Sequence, residues 1–482
     1  MQMQKIVIGA CGLVLSLVAT AVAAQSLSQS DIDQLGTNLT PVGAEKAGNA
    51  AGTIPEWTGG LGTDAGQSLA NNFLDNPFKG EQPEFVITAQ NYQEYRDNLT
   101  PGQVALFERY PETYRMPVYQ SKRTVGFPQS VYDQVKRTAG QAQLVNGGDG
   151  VSNVEPGASF IFPMPKTGGE VIWNHMTRYR LNVHRWYVQA MPQTNGSYTL
   201  IKMEEEVGYP NLMPDIDPST MPNNLLFFKQ RVNAPARLAG NVLLVHDTLD
   251  QLKEPRMAWV DNAGQRRVRR APQVAYDGPG TASDGMRTSD NFSMYNGAPD
   301  RYDWKLVGKK EIFLPYNAGQ LTDPEVKYSD ILKAGHVNPD LTRFELHRVW
   351  EVQGNVKAGQ RHIYAQRNFF VDEDSWMISL ADHYDGRGTL WRVGEGHLSF
   401  NYQHKIPGYS LETLYDLLGG RYIALGMYNE ESSAPQFGGT PPTYNQFTPA
   451  ALRAAGYADC CSTCVWVSGA SSDAPFLFSA QR

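Results

Sequence analysis

The most constraining feature of this chain is a run of alternating apolar and polar residues between positions 343 and 403. Every second residue of the segment 343–352 falls on one face, which carries Phe344, Leu346, Arg348, Trp350 and Val352. Three more segments follow, with breaks at 372–374 and 385–388. A period of two is typical of strands, and turns this short join antiparallel neighbours. The sequence therefore predicts an antiparallel meander.

The pattern also occurs earlier in the chain. Segments at 183–191 and 197–207 are separated by a stretch that ends in Asn195-Gly196, a hairpin-type turn. Segments at 256–260 and 266–270 flank a second turn at 262–264, and 241–250 reads as one more strand. Because no helical pattern separates these segments, they belong to an antiparallel sheet and not to β-α-β units.

Two helices are predicted beside the sheet. The first covers 170–182, where Ile172, Met176 and Tyr179 share one helical face. The second covers 410–418, with Ser410 as N-cap and Gly419 just past the end. A few helices packed on a strongly curved antiparallel sheet define an α+β fold.

The segment from 25 to 154 has a different composition. It is rich in Pro, Gly, Asn and Gln and has few alternating runs, so we expect it to wrap around the sheet domain, which spans 155–456. Short helices are predicted after Thr88 and after Thr100-Pro101, where a capping residue precedes a first-turn proline.

The start of the chain has the features of a secretory signal. Lys5 precedes an apolar stretch that ends in small residues at 22–24, which predicts a signal peptide over 1–24, cleavage before Gln25 and a periplasmic protein. The alternatives are a membrane anchor, for which the stretch is marginally long, and a lipid anchor at Cys11, which has too few apolar residues before it.

Charge and cysteine content exclude some classes of function. The formal net charge is −7 and the sequence pI is about 5.8, whereas nucleic-acid binding requires a basic surface. Cleavage would leave three cysteines, Cys460, Cys461 and Cys464, so no disulfide framework spans the domain. No histidine lies near them, and we predict no metal site in the tail at 457–482, which we expect to be unstructured.

The absence of common catalytic motifs favours a protein that is not an enzyme. The sequence contains no GxSxG, HExxH or phosphate-loop pattern. His246-Asp247 and Asp382-His383 are adjacent pairs on predicted strands, where neighbouring side chains point to opposite faces. We therefore predict no catalytic residue and no cofactor.

Two polar groups remain as candidate sites. Asn174, His175 and Arg178 lie on the predicted first helix, and we interpret them as a structural hydrogen-bond network. The second group is the densest charge cluster of the chain, and it is either a solvated strand tip or a docking site for an acidic partner or anionic lipid head groups. Its members are Arg266, Arg267, Arg269 and Arg270.

Several long motifs in order resemble one uncharacterised proteobacterial family, the domain of unknown function 1329. They include FPMPK, WNHMTRYR, PARLAGNVLLVHDTLDQ, AWVDNAGQRRVRRAPQVAYD, NGAPDRYDWKLVGKKEI and GGRYIALGMYNEE. The match runs from about 35 to 456. That family is similar to outer-membrane lipoprotein-sorting proteins of the LolA and LolB type, in which an incomplete antiparallel β-barrel closed by helices binds acyl chains.

The resemblance implies a ligand cavity between the sheet and its helices. The residues at the matching elements are predominantly tryptophans: Trp173, Trp259, Phe344, Leu346, Trp350, Trp376 and Trp391. The expected function is a periplasmic carrier for a lipid or another apolar small molecule. The resemblance also implies possible partners, a resistance-nodulation-division exporter of the inner membrane and an outer-membrane protein. The alternatives are a non-catalytic accessory subunit of an envelope transport complex and a periplasmic hydrolase.

Overall fold

A computed structural model describes residues 27–265 and 267–452. The predicted signal peptide, the predicted tail at 457–482 and Arg266 lie outside the described residues. No helix among the described residues is long and apolar enough to cross a membrane.

The fold is built around one large, mostly antiparallel sheet. Its strands are β1 (Phe85–Ile87), β2 (Met116–Val118), β5 (Val183–Ala190), β6 (Ile201–Gly208), β7 (Asn224–Ala234), β8 (Val242–Thr248), β9 (Met257–Asn262), β10 (Arg267–Arg270), β11 (Tyr302–Pro315), β12 (Phe344–Val356), β13 (Gln366–Asp372), β14 (Ile378–Tyr384), β15 (Leu390–Asn401), β16 (Ile406–Asp416), β17 (Arg421–Met427) and β18 (Gln436–Phe437). A separate hairpin is formed by β3 (Gln143–Val145) and β4 (Gly150–Ser152).

The strand order shows how the sheet is assembled. It runs β1-β2-β12-β13-β14-β15-β16-β17-β5-β6-β7-β8-β9-β10, with β11 beside β12 and β18 beside β5. The pairs are antiparallel except for β2 with β12. The path ends at β1 and β10 without closing into a barrel. The predicted meander is β12 to β15, and the two predicted hairpins are β5-β6 and β9-β10.

Few helices accompany this sheet. The α-helices are α1 (Gln29–Ile32), α2 (Pro101–Arg109), α3 (Gln129–Thr138), α4 (Gly168–Met176) and α5 (Tyr328–Ile331). Short 3-10 helices also occur, at Ala70–Asn72, Tyr92–Asn98, Asn146–Gly148, Pro210–Leu212, Pro218–Thr220, Pro272–Ala275, Ser289–Asn291, Pro299–Arg301, Gly319–Thr322, Pro339–Leu341 and Tyr444–Phe447. The predicted α+β class is confirmed. Thr100 caps α2 through the Gln103 N–H and Pro101 occupies its first turn, as predicted.

The predicted helix over 170–182 is only partly present. Thr167 caps α4, and the helix ends at Met176, where the Thr177 N–H and Oγ1 both donate to the Trp173 carbonyl, each at 2.8 Å. Val183 already begins β5. The apolar period continues past the true end because Tyr179, beyond the helix, packs against Phe127.

The predicted helix over 410–418 is wrong. Residues 410–416 belong to β16, which pairs with β15 on one side and β17 on the other, and 417–420 form the turn before β17. Most side chains of β16 are buried, including Leu411, Leu414 and Tyr415. When both faces of a strand are covered, apolar residues need not alternate. Here their spacing matches that of the apolar face of a helix.

Two large core clusters pack against the sheet. The α4 core joins Ile172 and Trp173 of that helix to strand residues such as Val371 and Ile378. The α2 core joins Leu106 and Phe107 to β16 and β17. The irregular N-terminal segment contributes to both cores, with Val42 in the first and Ile87 in the second. The segment also supplies β1 and β2 to the main sheet itself.

Candidate functional site

A cavity of about 230 Å³ lies beside β5, β6, β7 and β16. Its walls come from seven separate parts of the chain: 61–78, 178–185, 205–228, 292–296, 317–322, Met377 and 399–437. Its apolar side chains include Leu61, Leu74, Leu181, Leu226, Phe228, Phe292, Phe400 and Phe437. Ligand pockets combine such a lining with a few polar groups that fix orientation. The cavity is therefore the candidate site.

Gly408 on β16 leaves part of this cavity open. It lines the cavity, and no heavy atom outside its chain neighbours lies within 4 Å of the position that a Cβ atom would take. A side chain at this position would enter the cavity without meeting the backbone. Gly408 thus offers a direct way to change the volume of the site.

Three arginines and three acids also line the cavity. The acids are Asp75, Glu205 and Glu412. Arg185 on β5 donates from Nε to Glu205 Oε1 on β6 at 2.8 Å, so these two form an internal pair. Arg178 and Arg180 form no ion pair with a carboxylate of the described residues.

The two unpaired arginines follow directly after α4. Arg178 donates from Nη1 to the His175 carbonyl and from Nη2 to Ser293 Oγ, each at 2.5 Å. Burial and the charge of Arg180 lower the pKa of Arg178 to about 10. Arg180 donates from Nη2 to the Met176 carbonyl, while its buried Nε has no partner. The cavity thus holds two closely spaced cations.

Glu412 on β16 faces the same cavity. Its Oε2 accepts from the Met294 N–H at 2.9 Å. Burial raises the pKa of Glu412 to about 7, although Arg185, Arg287 and Arg178 act in the opposite direction. At neutral pH, Glu412 therefore balances only part of the positive charge around it.

The structure brings only part of the predicted polar network together. The His175 ring lies between the carbonyls of Trp376 at 3.2 Å and Ser293 at 3.0 Å, and its Nε2 is 3.4 Å from Arg178 Nη1. Asn174 instead bonds to the backbone of Phe162, at 2.7 and 2.9 Å. Arg178 also lines the cavity, which the helical pattern alone did not indicate.

The seven residues predicted to line a ligand cavity lie elsewhere in the fold. Trp173 and Trp376 are fully buried in the α4 core, where Trp350 stacks on Trp376 with ring centroids 6.2 Å apart. Phe344 and Leu346 pack in the α2 core. Trp259 packs near His246, and Trp391 donates to Asp416 Oδ2 at 3.1 Å. None of the seven lines the cavity described above, so their ligand-binding role stays a prediction.

The arginine cluster lies at an edge of the sheet. Arg267, Arg269 and Arg270 are exposed on β10, the last strand in the order. The Arg270 guanidinium lies 5.4 Å from the centre of the Trp259 ring. Charged residues on an edge strand discourage pairing with another chain. Docking to a partner or to lipid stays a prediction.

In the adjacent pairs His246-Asp247 and Asp382-His383, each side chain contacts a different partner. His246 Nε2 lies 2.7 Å from the Phe447 carbonyl, whereas Asp247 accepts from Arg256 at 3.0 and 2.7 Å. Asp382 Oδ2 accepts from the Gly102 N–H at 3.0 Å, and His383 Nε2 lies 3.3 Å from Asn291 Nδ2. In neither pair do the two side chains converge on one point.

Asp382 gives stability a dependence on pH. Burial raises its pKa from 3.8 to about 7, and its Oδ1 has no partner. The folded state keeps this proton where the unfolded chain has lost it, so stability falls as pH rises from about 4 to 7. The effect is at most about 4 kcal/mol. We expect Asp382→Asn to gain stability relative to wild type between pH 5 and pH 8, by at most about 3 kcal/mol.

Urea unfolding at the two pH values measures this effect. Asp385→Asn, in the exposed turn after β14, is the control and should leave the difference between the two pH values unchanged. Glu412 titrates in the same range, so the comparison uses the difference between wild type and Asp382→Asn. Equal pH dependence in these two proteins would contradict the assignment.

Within 27–265 and 267–452, two groups have the spacing to hold a metal ion. One is His347, Asp372 and Asp374, and the other is His184, Glu204 and Glu206. Asp374 is already bound by Arg123 at 2.8 and 2.6 Å, and Glu206 by Lys229 at 3.0 Å. Protein partners therefore explain these clusters without an ion.

Comparison with known proteins identifies the family. The chain belongs to the family described as "Protein of unknown function (DUF1329)", which matches residues 86–453. The resemblance drawn from its motifs is thereby confirmed. The chain is 57% identical over 457 residues to "Uncharacterized protein PA3922" of Pseudomonas aeruginosa. The alignment covers 95% of this chain and 100% of that relative.

Solved structures also resemble the fold. A DUF1329 family protein from Desulfovibrio piger matches with a TM-score of 0.39 and 14% identity, over 57% of this chain and 92% of that one. A LolA superfamily protein from Nitrosomonas europaea matches with a TM-score of 0.36 and 11% identity, over 59% of this chain and 98% of that one.

Proposed function

We propose that this protein is a periplasmic carrier for a lipid or another apolar small molecule. The observation that supports this is the cavity beside β16, whose walls include several leucine and phenylalanine side chains. A core that only stabilised the fold would fill such a space with side chains, because protein interiors are close-packed. At Gly408, on the cavity wall, the space is instead left open.

A carrier of this kind lowers the free-energy cost of moving an apolar molecule through water. Each methylene group moved out of water contributes about 0.8 kcal/mol, so a long acyl chain faces roughly 10 kcal/mol against crossing an aqueous compartment alone. A cavity with apolar walls removes that cost during transfer. We propose that the predicted signal peptide over 1–24 delivers the protein to such a compartment.

The proposed role involves no catalysis. The paired residues His246 with Asp247 and Asp382 with His383 are each engaged in bonds that hold the fold. We further propose that loading and delivery involve a resistance-nodulation-division exporter and an outer-membrane protein, in line with the family resemblance.

Native mass spectrometry tests the carrier function. Protein purified from the periplasm without detergent should carry an additional mass that organic extraction removes and identifies as an apolar molecule. Protein refolded from denaturant should lack that mass and regain it when incubated with the extract. Periplasmic protein that is always free of extractable ligand, and takes up none from the extract, would contradict the proposal and favour an accessory subunit.

A further inference from the structure

In the part of the chain that the structure describes, two positive charges at the cavity, those of Arg178 and Arg180, have no carboxylate bound to them. Arg178 is buried. Its Nη1 donates to the His175 carbonyl and its Nη2 to Ser293 Oγ, and both of these oxygens are neutral. Arg180 likewise donates to a neutral carbonyl. Burying a guanidinium is costly unless an anion compensates it. Neither arginine has an ion-pair partner among the described residues.

The acids that line the cavity form no ion pair with either arginine. Glu205 is engaged by Arg185, at 2.8 Å. Glu412 accepts from the Met294 N–H, and Asp75 forms no ion pair within the described part of the chain. The two arginines therefore lie at an apolar cavity with donor capacity to spare, including the buried and unpartnered Nε of Arg180.

We propose that the ligand is an amphiphile with an anionic head group, a carboxylate or a phosphate, that pairs with Arg178 and Arg180. This inference rests on the proposed carrier function and names its substrate class. Guanidinium groups bind both head groups through paired N–H donors, and such charge-assisted bonds are stronger than neutral ones. The hydrocarbon chain lies along the phenylalanines of the cavity, Phe228, Phe292, Phe400 and Phe437.

Three ligands with the same chain length separate the contribution of the head group from that of the chain. Palmitate carries a carboxylate, palmitoyl lysophosphatidate a phosphate, and hexadecanol no charge. Isothermal titration of wild type should give affinities about tenfold higher for one or both anionic ligands than for hexadecanol. Whichever anion binds more tightly identifies the head group. Inorganic phosphate alone should not displace hexadecanol, because the free ion lacks a chain.

Arg180 is the residue to vary, because it forms fewer hydrogen bonds than Arg178. Arg180→Gln should weaken binding of the preferred anion about tenfold and leave hexadecanol within about twofold. Arg180→Lys keeps the charge and should restore part of the loss. Glu412→Gln removes a negative charge beside the arginines, so it should keep or tighten anion binding. Arg387→Gln, in the exposed turn after β14, is the matched control and should change none of the affinities.

The outcomes distinguish this proposal from the carrier function. If none of the three ligands binds, the carrier function fails. If hexadecanol binds wild type as tightly as both anions, the carrier function survives and the anionic head group is excluded. Equal losses for all three ligands in Arg180→Gln, with a lowered melting temperature, would make Arg180 a structural residue and overturn its role. A normal melting temperature with a loss confined to the anions supports it.

Discussion

Arg367→Ala is expected to destabilise the protein by about 3–5 kcal/mol, because it leaves a buried carboxylate without its partner. Arg367 on β13 is fully buried, and both of its terminal nitrogens donate to Asp290, each at 2.9 Å. Although burial opposes ionisation, Arg367 and His362 hold the pKa of Asp290 well below its usual range. Truncation at Arg367 would leave that charge in the interior of the protein.

The same pair anchors part of the cavity. Asp290 lies in the loop before β11, and this loop continues into Phe292, Ser293 and Asn296, which line the cavity. The rings of Tyr302 and Tyr364 surround the Arg367 guanidinium, with centroids 5.2 and 4.9 Å away. We therefore expect loss of the pair to loosen both the sheet and one cavity wall.

Urea unfolding monitored by tryptophan fluorescence measures the change in unfolding free energy. Arg387→Ala is the control, because Arg387 is exposed in a turn, and it should stay within about 0.5 kcal/mol of wild type. A loss of less than about 1 kcal/mol in Arg367→Ala would show that Asp290 finds compensation elsewhere and would contradict this account.

Gly408→Trp is expected to abolish uptake of an apolar ligand while the protein stays folded. The indole would project from β16 into the cavity, since nothing but open space surrounds the Cβ position. Gly408→Ala adds one carbon and should bind nearly normally, whereas Gly408→Leu should fall between the two. Thermal melting of each variant establishes that the fold is retained.

A matched glycine separates filling of the cavity from the effect of replacing a glycine. Gly386, in the exposed turn between β14 and β15, also has open space around its Cβ position and lies outside the cavity. Gly386→Trp should therefore bind like wild type. A graded loss at position 408 and none at position 386 is the pattern that occupancy of the cavity predicts.

The strands of the sheet could be predicted from the sequence where one face of the strand is apolar and the other is polar. The meander from β12 to β15 has short polar turns and enough alternation to predict its strands. β16 was misread because it is covered on both sides, and the period of two disappears where no face meets water. The helix α4 was predicted too long for a related reason, since burial continues beyond Met176.

The cavity was much less predictable. Its walls come from parts of the chain as far apart as Leu61 and Phe437, and no local pattern links such residues. The tryptophans were predicted to line a cavity from the family resemblance, but their large apolar side chains place Trp173 and Trp376 in the α4 core. Arg178 was the one predicted site residue that the cavity includes, and its signal was the unusual cluster of polar residues around 174–180.

The most direct test of the carrier function is a titration of wild type, Gly408→Trp and Gly386→Trp with a fluorescently labelled long-chain alcohol. A neutral ligand makes the result independent of the arginines. A carrier that uses this cavity should show saturable binding of one molecule per wild-type chain, the same affinity for Gly386→Trp, and an affinity at least about tenfold lower for Gly408→Trp. Wild-type affinity that persists unchanged in a folded Gly408→Trp variant would show that the cavity is not the ligand site and would contradict the proposed carrier function.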